Sequence, residues 1–196
     1  SAVAETKLKY QVSILPLDAG TRDRMLAIAQ NFLRKALDTH RGGLKAWSRA
    51  PINNCRNPGG GFNFLVLPPS NVLEYFLRSY VHSLAPYYSL INGAALDPNE
   101  LMLDNQASTL LLLLMIAHGA TAIPTLEARC LTAGLTETCR ISLFDVIEKD
   151  VELSADPVVL RCALLFTMLG AWSGDAWHMY IAMGQRGMYL AVGWSK

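Results

Sequence analysis

Between Asp104 and Glu127 the chain carries no charged side chain, and within that interval Ala107 to Ile123 is apolar on every side of a helix. Only Ser108, Thr109, His118, Gly119 and Thr121 interrupt it. A helix without a polar stripe belongs in the middle of a protein core or in a bilayer. The densest part, Leu110 to Ala117, falls well short of the ~20 apolar residues that span hydrocarbon. The pattern therefore predicts a buried central helix around which the remaining elements pack.

Those elements are also helical by periodicity. Residues 1–17 are mixed in pattern and read as coil. Met25, Leu26, Ala29, Phe32, Leu33 and Leu37 then recur at helical spacing, with Asp18 or Thr21 as cap and Arg22, Arg24, Arg34 and Lys35 facing water. Gly42-Gly43 ends this helix near His40, since paired glycines hold a helix poorly. From Arg41 to Pro69 prolines, asparagines and Gly59 to Gly61 predict a flexible loop. Ser70 opens the next helix, with Val72, Leu73, Phe76, Leu77, Tyr80, Val81 and Leu84 inward and Pro86 as terminator. Asp97-Pro98-Asn99-Glu100 combines an N-cap, a proline at the first helical position and a glutamate at the third. Gly119 and Pro124 mark the end of the central helix. Leu126 to Asp150 forms one or two helices with Leu131, Leu135, Cys139, Leu143, Val146 and Ile147 inward. Asp156-Pro157 starts a further helix to Ala171, and Trp172-Ser173-Gly174-Asp175 turns the chain into the last one, Ala176 to Val192. Asp175 is expected to cap that second arm, and Trp172 to be buried, so that Trp172→Ala would cost about 3 kcal/mol against about 1 kcal/mol for Asp175→Ala. No segment alternates with period two and no repeat recurs at fixed spacing. The fold class predicted is all-α, a bundle of six to eight helices. Residues 1–69 contribute a helix and a loop, and 70–196 form the helical core of the same domain.

Composition changes this picture in one respect. The 196 residues are 52% hydrophobic and 17% charged, an apolar excess over ordinary domains. A face covered by a second subunit or by more polypeptide is the expectation that follows. The formal net charge is +1, from 17 basic and 16 acidic residues, so the chain lacks the electrostatic footprint of a nucleic-acid binder. Cys55, Cys130, Cys139 and Cys162 form no Cys-x-x-Cys pair, and no secretory leader precedes them; they read as reduced thiols of an intracellular protein.

Candidate chemistry is sparse. His40, His82, His118 and His178 lie in separate segments, without the paired spacing that metal ligation requires. Ser173 lacks the first glycine and the preceding strand of a nucleophile elbow. Gly59 to Gly61 is not followed by the lysine and hydroxyl residue of a phosphate-binding loop. Glu127, Asp145, Glu148 and Asp150 read as a solvated helix face. No catalytic, cofactor-binding or metal residues can be named.

Two stretches carry a family resemblance. Val72-Leu73-Glu74-Tyr75-Phe76-Leu77-Arg78-Ser79-Tyr80-Val81-His82, followed by Pro86-Tyr87-Tyr88 and Leu90, resembles the opening of the fungal-specific transcription factor domain. This is the middle homology region of fungal zinc-finger regulators, where an aromatic-rich helix leads to a proline and an apolar hook. Leu164-Leu165-Phe166, then Gly170-Ala171-Trp172-Ser173-Gly174-Asp175 and Gln185-Arg186-Gly187, is similar to that family's Ser-Gly-Asp turn and Arg-Gly helix, most of all in members with Cys2His2 fingers. His118-Gly119-Ala120 resembles the family's Leu-Gly-Ala at the end of its central helix. The resemblance spans Ser70 to about Val192 and makes Trp172, Ser173, Gly174 and Asp175 a structural turn.

It implies a nuclear regulatory domain that modulates transcription through protein partners, self-association or a small effector. The finger module has no counterpart here, so zinc and DNA contact are expected only outside this chain, with no membrane role. The family usually continues with further helices after the position of Lys196, so the chain reads as a fragment or a shortened relative, and a homodimer is expected. The competing reading is a helical enzyme or a lipid- or small-molecule-binding protein, with His118, His178 or Asp175 converging on a pocket beside the 172–175 turn.

Overall fold

The computed structural model describes residues 13–39, 67–83, 95–104, 106–149, 156–173 and 176–193. Among them are seven helices: α1 (Ala19–Thr39), α2 (Ser70–Ser83), α3 (Pro98–Asp104), α4 (Gln106–Thr121), α5 (Leu126–Lys149), α6 (Pro157–Ala171) and α7 (Ala176–Gly193). Two short segments, β1 (Ser13–Ile14) and β2 (Ala95–Leu96), pair in parallel, Ser13 with Ala95 and Ile14 with Leu96. The all-α class stands; the two-residue ladder within the expected N-terminal coil pins its last residues beside α3.

Helix α4 is the centre. Every residue from Ala107 to Ala120 is buried, because α2, α3, α5 and α6 all pack against it. Each enclosed leucine contributes ~2 kcal/mol by its removal from water. Gly119, expected at the end of this helix, lies in its last turn and serves a further purpose. A Cβ there would stand 1.8 Å from the carbonyl oxygen of Phe76 and 3.1 Å from the amide nitrogen of Tyr80. The backbones of α2 and α4 therefore touch at that point, and only glycine permits it. Helix α2 presents Leu73, Phe76, Leu77, Tyr80 and Val81 to this contact.

Start signals act as their chemistry dictates. Asp97 Oδ1 accepts from the amides of Asn99 (2.8 Å) and Glu100 (3.3 Å) at the start of α3. Asp156 accepts from the Val158 amide at 2.7 Å, with Pro157 as the first residue of α6. Arg22, expected in water, is half-buried: Nε donates to the Pro68 carbonyl at 2.7 Å and a terminal nitrogen to the Leu67 carbonyl at 2.6 Å. These charge-assisted bonds tie the segment before α2 to α1. Helix α5 is one unbroken helix of 24 residues. Its inward Thr136, Thr138 and Ser142 stay satisfied because each hydroxyl donates to the carbonyl four residues earlier, at 2.7 Å.

The expected loop of residues 41–69 lies outside the described residues except for 67–69. No helix of the described residues is long and apolar enough to cross a membrane.

Candidate interaction surface

The hairpin of α6 and α7 carries the turn singled out in the sequence, and it departs from expectation there. Trp172 closes α6, its amide donating to the Met168 carbonyl at 3.1 Å, yet its side chain is 86% exposed. The expectation of a buried indole is overturned. Capping fixes only the backbone of a turn, and the side chain after the last helical residue points wherever the turn aims it. Ser173 donates its hydroxyl to the Gly170 carbonyl at 2.8 Å, so it serves the turn. Gly174 and Asp175 lie outside the described residues.

Helix α7 is held to α6 by its inner face. A Cβ on Gly170 would meet the Ala182 methyl at 2.8 Å and the His178 carbonyl oxygen at 3.1 Å, so the two arms approach closely. His178 and Ala182 are buried, and Ile181 and Gln185 half-buried. The opposite face is exposed. At ~100° per residue, Ala176, Met179, Tyr180, Met183 and Gly187 fall within one sector about 100° wide. All five are exposed, Tyr180 to 79% and Met183 to 61%. Gly184 and Arg186 lie at its two edges, also exposed, and the space above Gly184 and Gly187 is open. Isolated exposed residues such as Tyr75 or Leu126 need no explanation, but an apolar stripe along a helix marks a contact surface. Sequence periodicity missed it because α7 is apolar on both faces, so the pattern does not distinguish inside from outside.

The two buried histidines, His118 and His178, lie on different helices. His118 lies on α4, 7% exposed, with Nε2 at 2.8 Å from the Leu165 carbonyl of α6 and its ring tilted against that of Tyr80 at 6.2 Å between centroids. A ring nitrogen beside a carbonyl oxygen must donate, so that nitrogen carries a proton and is unable to act as a base. Burial holds the His118 pKa below its usual value, and the carbonyl only partly opposes this. His178 lies on α7, and α6 packs against both helices. The Tyr80 hydroxyl is buried without a hydrogen-bond partner among the described residues, and desolvation pushes its pKa up to about 12. Burial likewise raises the thiols of Cys139 and Cys162, which are free and enclosed, so neither offers a thiolate.

Cys130, by contrast, is disulfide-bonded, which corrects the expectation of four reduced thiols; Cys55 lies outside the described residues. Spacing along a chain does not reveal which sulfurs folding brings together. Among the described residues no group of three or more His, Cys, Asp or Glu side chains is placed to hold a metal ion.

A shallow cleft of about 500 Å³ runs between the start of α1 and α3, lined by Asp18, Gly20, Thr21, Arg24, Asp97, Asn99 and Glu100. Two of its polar side chains, Asn99 and Asp97, serve the fold. Asn99 accepts from the Asp18 amide at 3.0 Å and donates to the Pro16 carbonyl at 2.8 Å, while Asp97 caps α3. His118 and His178 are not among its lining residues.

Comparison with known proteins shows what the chain is similar to. A transcription factor of Zymoseptoria tritici is 55% identical over 185 residues, which is 92% of this chain and 18% of the relative. Transcription factor PfmaH of Pestalotiopsis fici is 51% identical over 181 residues, again 92% and 18%. Transcription factor 1 of Elsinoe fawcettii is 52% identical over 184 residues, 93% and 18%. No protein-family model matches the chain, and no solved structure does. The chain spans about a fifth of the length of the curated relatives it matches, and over nearly all of its own length it is homologous to a segment of fungal transcription factors.

Proposed function

We propose that this chain is a regulatory and interaction domain of a fungal transcription factor, equivalent to the middle homology region, acting in the nucleus while a zinc-finger module elsewhere in the parent reads DNA. The observation that carries the reading is the exposed apolar face of α7. It lies on a bundle whose relatives are transcription factors and whose own charge is close to neutral. A segment with a net charge of +1 neutralises few phosphates, whereas an apolar stripe rewards burial against protein. Regulation then runs through contacts of this surface, and zinc enters only with the finger module.

The segment is tested by exchange. In the Zymoseptoria tritici relative, the homologous stretch is replaced by this chain, and expression from a reporter is compared with the intact relative and with one lacking the stretch. The chimera is expected to restore the intact response, and the deletion to alter it. A deletion with unaltered output, or a chimera no better than the deletion, would overturn the assignment.

A further inference from the structure

We draw no further inference here: the strongest candidate, the exposed apolar face of α7, carries nothing beyond the function already proposed, because nothing in the structure shows what covers it.

Discussion

Gly119 decides how near α2 can come to α4. Since an added Cβ would collide with backbone, which has no alternative rotamer, Gly119→Ala must push the two helices apart along the Phe76–Tyr80 contact. A loss of about 3 kcal/mol is expected, the upper range for overpacking, read as a lower urea midpoint. An unchanged midpoint would mean that the helices do not touch there. Trp172 is the opposite case: at 86% exposure its indole contributes little to folding, and Trp172→Ala should leave stability within about 0.5 kcal/mol. A loss near 3 kcal/mol would show the indole to be packed.

His118 ties the core to pH. In the unfolded chain it titrates near 6.5, and in the folded chain lower, because burial disfavours the imidazolium. Between those two values the unfolded state binds more protons, so stability is full above pH 6.5 and declines as pH falls through the folded value. Urea unfolding from pH 8 to pH 5 should show this decline, and His118→Gln should flatten it. An unaltered slope in the variant would place the pH dependence elsewhere.

At the scale of elements, the chain announces its boundaries where side chains meet orphan amides. Asp97 and Asp156, each followed by proline, were legible as starts because a carboxylate at that position has one obvious task. Asp156→Ala should cost about 1 kcal/mol, measured by thermal or urea unfolding; no loss would mean the cap is replaceable by water. The all-apolar α4 was legible for a similar reason, as no other placement hides it. Gly119 was legible as a sign of the helix end, which falls at Thr121, but its part in the close approach was not, because only the neighbouring backbone shows it. The exposed side of α7 and the orientation of Trp172 were illegible because an apolar helix has no polar stripe to mark its outside. Arg22 was placed in water by its type, yet two carbonyls of the segment before α2, distant in sequence, hold it.

At the scale of the whole molecule, His118, His178, Cys139 and Cys162 are buried, and among the described residues an apolar stripe runs along the exposed face of α7. The general expectation of an uncovered face came from composition, while its location required the fold. On the proposed function, this bundle influences transcription by protein contact and not by touching DNA. Its most direct test is promoter occupancy measured alongside reporter output in the chimeric Zymoseptoria tritici factor, with and without Tyr180→Glu and Met183→Glu. Unaltered occupancy with a changed output is expected. Occupancy lost in step with output would contradict it, since the stripe would then be serving DNA binding itself.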